Sequence, residues 1–487
     1  MNINTPSPLR QRKTKERQSK KQLIFFLLLS LFCGGLFLLN RLGTFKPRTA
    51  PVRDILLHIE GFSPHDLGLA LTAALQSFGD ETQRPTGLSG ASLAVQQLLL
   101  AIEARANANA VQCISDPSLP QIPEGKRFFI ASNLHNNEKL LPHFTLQLLS
   151  LLQQLPKGST YVSIYESGST DRTGEWLELL QSLLLLLEVP SSIVTGGLMR
   201  AVGEDRIEFL AKVRNLALEP LWREAGGNGS AAAVTGEGFR ADRIIFINDV
   251  FFCTRDVVRL LQQQEADLVC GMDFHVDVRE GWDRHWRNIP AAEILPYGPH
   301  GPQLGYKHRR HDHLIFYDSW VSRDLSGIPF SNSRPFVLHQ YSLARLQNGL
   351  PFPVSCCWNG LAVMSGAPFQ QGYQFRTHRE GECEASEGSL MCEDFLRSGF
   401  QRFIVDPGVR QAYFPETAWK LYTDKVSFIP LTSWDEVAAA PAPDFSFGPK
   451  RFHMTCCSKQ AGGDIVHWQQ CRPGDIFTRS LGCDDQD

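Results

Sequence analysis

The sequence has almost no excess charge, no CxxC pair and no internal repeat. Its 487 residues carry 48 Lys and Arg against 51 Asp and Glu, which gives a formal charge of -3. A chain with this balance does not find nucleic acid through bulk positive charge, so we expect no nucleic-acid partner. The composition, 43% hydrophobic and 20% charged, excludes a disordered chain and is sufficient for a large core.

The cysteines also lack the spacing of a metal site. Cys356-Cys357 and Cys456-Cys457 are directly adjacent in sequence, whereas paired zinc ligands are usually separated by two to four residues. We therefore expect buried thiols and a few disulfides, which an oxidising compartment permits. A sequon at Asn228-Gly229-Ser230 lies in a Gly/Ala-rich stretch that is typical of an exposed loop.

The N-terminus combines a basic tail with one apolar run. Residues 1–21 hold seven Lys or Arg against a single acidic residue, and the run from Leu23 to Leu39 has no charge. As a helix this run reaches roughly 25 Å, enough for a thin membrane. A cleaved signal peptide is the alternative, but Asn40-Arg41 does not resemble its cleavage site. We predict a cytosolic tail over 1–21, an uncleaved anchor over 22–40, and a luminal remainder in the Golgi or the ER.

Three further regions follow the predicted anchor. Residues 41–125 contain two apolar-periodic stretches and predict a stem with helical segments. Residues 126–430 alternate short apolar runs (RFFIAS, YVSIY, SSIV, RIIFI, DLVCGM) with helical patterns, which predicts an α/β domain with a mostly parallel sheet flanked by helices. Residues 431–487 form a Cys- and Pro-containing extension.

Polar residues follow the apolar runs, and in α/β sheets ligands gather at these strand ends. Ser132 to Asn136 follow the first run, Glu166 begins a Gly/Ser turn after the second, and Asn248-Asp249 follow RIIFI. A carboxylate that leaves a buried strand is well placed to hold a divalent cation on a diphosphate. The first two patterns also fit a helix cap and an ordinary strand-to-helix turn.

Successive blocks of the sequence together resemble glycosyltransferase family 69, the fungal capsule-associated α-1,3-mannosyltransferase family. The blocks include FFIASNLHNNEKLLPHF (128–144), VSIYESGSTDRT (162–173), FLAKVRNLALEPL (209–221), RIIFINDVFF (243–252) and EASEGSLMCEDF (384–395). The resemblance implies a GT-A-like fold and a mannosyltransferase that uses GDP-mannose and Mn2+ or another divalent cation. The implied product is an α-1,3-linked mannoside, formed with retention on an oligosaccharide or polysaccharide acceptor. The alternative is a non-catalytic member that supports capsule or cell-wall polysaccharide synthesis or export.

The resemblance also implies roles for individual residues. Asp249 is expected to hold the metal, with Asp273, Asp324 or a downstream His as further ligand. The donor-binding candidates are Ser132, Asn133, Asn136, Glu166, Ser167, Gly168, Asp171, Lys212, Arg214, Asn215 and Asn248. Among these, Lys212 or Arg214 would assist departure of the diphosphate.

Two smaller sets complete the predicted site. Retention requires an anion or amide oxygen near the developing oxocarbenium ion, and the catalytic candidates are Asp324, Glu387 and Asp394. The acceptor-binding candidates are Trp358, which could stack on a sugar, and Asn359, which could bond its hydroxyls. Trp358 fits a buried anchor equally well.

Overall fold

The computed structural model describes residue 113, residues 115–222, 238–276, 314–379, 385–415 and 429–446, and a few shorter stretches among and after them. All of these belong to one compact unit, Gly61–Asp487. The predicted cytosolic tail, anchor, stem helices and sequon lie outside the described residues. Within the described residues, no helix is both long and apolar enough to cross a membrane.

Strands and helices alternate along the first half of the described chain. The strands are β1 Phe128–Leu134, β2 Thr160–Glu166, β3 Ser191–Val194, β4 Arg243–Ile247, β5 Leu268–Val276, β6 Leu314–Phe316, β7 Phe352–Pro353, β8 Leu361–Ser365, β9 Phe403–Ala412, β10 Met454–Cys456 and β11 Arg472–Gly474. The helices are α1 Leu141–Gln154, α2 Thr173–Leu186, α3 Arg206–Leu218, α4 Thr254–Leu261, α5 Gln340–Gln347, α6 Ala367–Gln370, α7 Glu387–Arg397 and α8 Trp434–Ala439.

Nine strands form one mixed sheet. Eight follow the order β3-β2-β1-β4-β8-β5-β9-β7, and β6 pairs with β5. Strands β1 to β4 are parallel to one another, as the sequence predicts. The prediction of a mostly parallel sheet holds only in part for the other half: β5 and β9 are parallel to each other, but β8 runs antiparallel to both β4 and β5, β6 to β5, and β7 to β9. The regular strand-helix alternation that enforces parallel pairing ends at β5.

Central strand β4 shows why these residues form a sheet interior. Its segment Ile244–Ile247 is completely buried, since a central strand covered on both faces favours a continuous apolar run over alternation. Two helix caps fix the first residues of α3 and α7, which contact each other. The Asp205 carboxylate accepts the N–H groups of Ile207 (2.8 Å) and Glu208 (2.9 Å) and begins α3. Ser386 Oγ accepts the N–H of Ser389 (3.1 Å) and begins α7.

Three disulfides join the described elements: Cys113–Cys253, Cys270–Cys357 and Cys356–Cys392. The vicinal Cys356 and Cys357 therefore bond to different partners, one in α7 and the other in β5. The expectation of disulfides is confirmed for these six cysteines.

A buried guanidinium joins the segments that precede and follow the sheet. Arg259 of α4 is fully buried, and it donates to Asp406 Oδ2 (2.9 Å) and to the carbonyl oxygen of Thr432 (2.5 Å). Asp116 lies 3.9 Å from the same guanidinium and accepts the N–H of Trp434 (3.0 Å). We call this arrangement the Arg259 junction.

Candidate active site

Three carboxylates lie near the C-terminal end of β4, and we call them the acidic cluster: Asp249, Asp273 and Asp318. Asp249 follows β4, Asp273 belongs to β5, and Asp318 follows β6. The Asp318 N–H donates to Asp273 Oδ1 (3.1 Å). The negative charges of all three carboxylates act on the hydroxyl of Tyr413, which is therefore their common neighbour.

Burial and mutual repulsion disfavour the charged forms of the acidic cluster. Burial and the charge of Asp318 raise the pKa of Asp273 well above its usual value. Burial raises the pKa of Asp318 to about 6, against a hydrogen bond from the Asn359 N–H and the charge of Arg214. Burial also raises the pKa of Asp249, while the Asn137 side chain and Arg214 act in the opposite direction. The cluster therefore favours positive charge close to it.

Asn359 holds the strands around the acidic cluster together. Its N–H donates to Asp318 Oδ2 (3.0 Å) and its Nδ2 to the carbonyl oxygen of Gly271 (2.6 Å). Its Oδ1 accepts from Ser322 Oγ (2.5 Å), and its carbonyl oxygen accepts from Gln411 Nε2 (2.6 Å). The residue has φ of 54°, a left-handed conformation that Asn tolerates better than most side chains.

A buried ion pair lies beside the acidic cluster. Arg214 Nη1 is 2.6 Å from Glu387 Oε1, and the two side chains are 9% and 4% exposed. The guanidinium also lies over Trp358, 4.4 Å from the ring centroid, and 5.5 Å from that of Phe375. Burial is the main cause that raises the pKa of Asp318; the charge of Arg214 lowers this pKa and the charge of Glu387 raises it. Both charges of the ion pair therefore act on the acidic cluster. Oε2 of Glu387 is buried without a hydrogen-bond partner among the described residues.

Glu166 orders the loops after β2 and β3. Its Oε2 accepts the Gly196 N–H (2.6 Å), and its Oε1 accepts the N–H of Ser169. The side chain is 2% exposed, so it acts through the loop backbones. Gly168 has φ of 64°, a left-handed conformation that favours glycine at this turn.

The other predicted donor residues divide into loop-ordering and strand-anchoring groups. Asn136 Oδ1 accepts the Thr170 N–H (2.8 Å), and Asp171 accepts the N–H groups of Glu138 and Thr173 (both 3.0 Å). Ser167 donates its N–H to the Leu134 carbonyl (2.9 Å). These contacts join the loops that follow β1 and β2.

The strand-anchoring donor candidates hold α3 and β4 in place. Asn133 Nδ2 donates to the Val213 carbonyl (2.9 Å), and Asn215 exchanges two hydrogen bonds with the backbone of Phe375 (2.8 and 2.9 Å). The Asn248 N–H donates to the Gly360 carbonyl (2.8 Å). Ser132 is buried in β1, and its hydroxyl has no hydrogen-bond partner among the described residues.

Several predicted site residues do not converge on the acidic cluster. Lys212 is exposed while Arg214 is buried, so the two predicted cations lie on different faces of α3. Asp324 accepts the N–H groups of Ser326 (2.8 Å), Ile328 and His339 (2.9 Å), which orders its own loop. Asp394 forms a two-pronged ion pair with Arg376 (2.7 and 2.9 Å). Their catalytic and donor-binding roles stay predictions.

The predicted acceptor residues are both buried. Trp358 is 3% exposed, and its ring packs against Phe246 (centroids 5.1 Å) and Phe375 (5.3 Å) as well as Arg214. Asn359 is completely buried, with its side chain engaged as described above. The anchor interpretation of Trp358 thus agrees with its packing, and neither side chain presents a free surface to a sugar.

Comparison with known proteins identifies the family. The family model described as cryptococcal mannosyltransferase 1 matches residues 127–394, which is more than half of the chain. The chain belongs to this family. The predictions of the family and of a glycosyltransferase are thereby confirmed.

One curated member of the mannosyltransferase family can be aligned with the chain. It is the α-1,3-mannosyltransferase CMT1 of Cryptococcus neoformans var. neoformans serotype D, 28% identical over 326 residues. The match covers 61% of this chain and 60% of the relative's length.

Solved structures show weaker likeness. The mannosyltransferase PcManGT from Pyrobaculum calidifontis, in complex with GDP-Man and Mn2+, is 12% identical with a TM-score of 0.32 and covers 75% of this chain and 70% of its own. S. aureus TarS 1–349 is 14% identical with a TM-score of 0.27, and the match covers 64% of this chain and 68% of the TarS chain. Scores of this size carry no inference about the site.

The acidic cluster has the chemistry of a cation site without a complete set of ligands. Oδ2 of the fully buried Asp273 has no hydrogen-bond partner among the described residues. Carboxylate oxygens are the ligands that Mg2+ and Mn2+ prefer. In the part of the chain that the structure describes, however, no three His, Cys, Asp or Glu side chains are grouped as metal ligands. The orphaned oxygen fits a cation, and Asp249 and Asp273 are the residues that would hold it.

Sequence reasoning missed two members of the site. Asp318 lies in FYDSW, a block that carries the family resemblance, but it follows a three-residue strand that no periodicity reveals. Tyr413 follows β9 in the same way. Both residues lie in blocks that carry the family resemblance, FYDSWVSRDLSG (316–327) and VDPGVRQAYF (405–414), and this was the signal that could have found them.

Proposed function

We propose that this chain is a mannosyltransferase that transfers mannose from GDP-mannose to a mannoside acceptor, in an α-1,3 linkage and with retention. The observation that carries the proposal is the convergence of the acidic cluster with the buried Arg214–Glu387 pair at the end of β4. Membership of the mannosyltransferase family supports the sugar and the reaction class. We also propose that the β1–β4 half of the sheet is a GT-A-type donor domain.

The proposed reaction depends on a divalent cation, Mn2+ or a similar ion, held by Asp249 and Asp273. When bound, it would supply positive charge that offsets the negative charge developing on the leaving diphosphate. The raised pKa values of these two carboxylates support this, because nearby positive charge is what favours their ionised forms. Arg214 contributes a fixed positive charge to the same region.

The loops after β1 and β2 are the proposed nucleotide side of the site. Glu166 and Asn136 order these loops through backbone hydrogen bonds, so their backbone groups are held in place before a ligand binds. Because the loops are already ordered, less conformational entropy of the loops is lost when a nucleotide binds.

Glu387 is the proposed anion for the retained configuration. Its charge raises the pKa of Asp318 and so acts on the acidic cluster. Its Oε1 faces Arg214 and its Oε2 is buried without a hydrogen-bond partner among the described residues, so the side chain would stabilise a developing oxocarbenium ion through its nearby negative charge.

We also propose a type II topology with the catalytic domain in the lumen of the Golgi or ER. The basic tail and the apolar run at 22–40 support it, and the three disulfides are compatible with an oxidising compartment. Protease added to sealed microsomes should spare the chain beyond residue 41. Digestion of that region without detergent would reject the luminal topology.

The decisive experiment measures mannose transfer from GDP-mannose to a mannobiose acceptor against Mn2+ concentration. Asp249→Asn is nearly isosteric, so it should keep the fold but lose the metal-dependent rate by about a hundredfold or more. Asn248→Ala is the matched control, because a neutral neighbour contributes less charge and should reduce the rate far less. Wild-type rates from folded Asp249→Asn would place the metal site elsewhere, and an inactive folded wild type would favour the non-catalytic role in polysaccharide export.

A further inference from the structure

An exposed group of aromatic side chains borders the acidic cluster. Tyr317 and Phe414 are both 49% exposed, and His275 lies between them. The His275 ring centroid is 5.1 Å from that of Phe414 and 6.0 Å from that of Tyr317. We call these three residues the aromatic platform. Large exposed aromatic side chains in one place are typical of binding surfaces.

The platform is joined to the acidic cluster through the backbone. Tyr317 directly precedes Asp318, and its N–H donates to the carbonyl oxygen of Asp273 (3.1 Å). The Tyr317 ring also lies 4.9 Å from that of Tyr413, the common neighbour of the three carboxylates. The exposed rings therefore adjoin the half-buried Asp318 and Asp249, with the fully buried Asp273 beneath them.

The chemistry of this surface selects its ligand. Without a cation, three carboxylates would repel a negatively charged ligand such as the donor's diphosphate, and a purely apolar ligand would leave them without partners. A sugar offers an apolar C–H face for the rings and a hydroxyl donor for Asp318, the half-buried carboxylate of the cluster that is not assigned to the cation. A neutral hexose has both features.

We propose that Tyr317, His275 and Phe414 form the subsite that binds the terminal sugar ring of the glycan acceptor. This inference rests on the proposed transferase function and replaces the predicted acceptor residues Trp358 and Asn359, whose side chains are covered. The sugar lies against Tyr317 and Phe414 and directs a hydroxyl toward the acidic cluster, where the donor's sugar is transferred.

The first test measures binding without donor or metal. Saturation-transfer difference NMR with α-1,3-mannobiose should give a signal with the full-length wild type. The signal should fall strongly in Tyr317→Leu and Phe414→Leu, which remove the ring but keep an apolar side chain. It should persist in the matched variants Tyr317→Phe and Phe414→Tyr, which keep the ring. Equal signals from the Leu variants and the wild type would overturn the subsite, as would equal losses in the Leu and ring-keeping variants.

The second test separates this inference from the proposed function. Loss of one sugar–ring contact should raise the KM for mannobiose about tenfold in either Leu variant, with a much smaller change in the KM for GDP-mannose. A parallel rise in both KM values would assign Tyr317 and Phe414 to general site structure and reject the subsite. If the wild type binds mannobiose through these rings but transfers nothing, the subsite stands and the transferase function fails.

Discussion

The buried Arg214–Glu387 pair allows a quantitative test of the charge balance at the site. At 2.6 Å and an effective dielectric constant of about 20, the gross attraction is roughly 6 kcal/mol. Removing both ions from water costs several kcal/mol for each, so the intact pair contributes little net stability. Loss of one partner is different, because the remaining charge stays buried without its counter-ion.

Arg214→Met and Glu387→Gln should each lower the free energy of unfolding by about 3–5 kcal/mol. Methionine suits the Arg214 position because the surrounding rings of Trp358 and Phe375 are apolar. The double variant should lose much less free energy of unfolding than the two single variants lose together, which corresponds to a coupling energy of about 3 kcal/mol or more.

Urea unfolding of the full chain, with its disulfides intact, gives the four free energies of this cycle. The exposed pair Arg402–Glu265 is the matched control, since its atoms are 2.8 Å apart but its side chains are 52% and 88% exposed. The cycle of Arg402→Met with Glu265→Gln should give a coupling energy below about 1 kcal/mol. An equally small coupling for Arg214 and Glu387 would refute the claim that this pair is a desolvated charge balance.

Three further predictions concern single residues. Burial lowers the pKa of His143 from 6.5 to about 4. Keeping this histidine neutral therefore contributes about 3 kcal/mol to the free energy of unfolding above pH 6.5, and this contribution is lost as the pH falls toward 4. His143→Gln should flatten that part of the pH profile of urea unfolding. An unchanged profile would contradict the burial argument. Asn359→Ala should lower the free energy of unfolding by about 2 kcal/mol or more in the same assay, because it strands the carbonyl of Gly271, and wild-type stability would show that the residue does not hold the strands. Asp324→Asn should destabilise the chain by about 1–3 kcal/mol through lost backbone hydrogen bonds, and loss of turnover at full stability would instead restore its predicted catalytic role.

The predictability of the fold changes at β5. Strands β1 to β4 are visible in the sequence because each is an apolar run followed by a helical pattern, which is the local signature of a parallel sheet. The segment Leu361–Ser365 is equally apolar, but its antiparallel insertion between β4 and β5 depends on long-range pairing that no local pattern records.

The same distinction applies to the site. Asp249 could be predicted because it directly follows a strand that is itself predictable. Asp318 could not, since β6 exists through its pairing with β5. Trp358 shows a different limit, because a tryptophan beside an asparagine fits either a sugar platform or a core anchor, and only the rings packed around it decide its exposure.

The Arg259 junction and the Cys113–Cys253 disulfide determine where this protein can be shortened for expression. The family match spans residues 127–394, but a fragment cut at those limits would lose Cys113 and leave Cys253 as an unpaired thiol. It would also remove Asp406 and Thr432, leaving the fully buried Arg259 without its carboxylate and carbonyl acceptors. A secreted catalytic fragment should therefore begin before residue 113 and extend past Trp434, so that both flanks of the sheet are retained together.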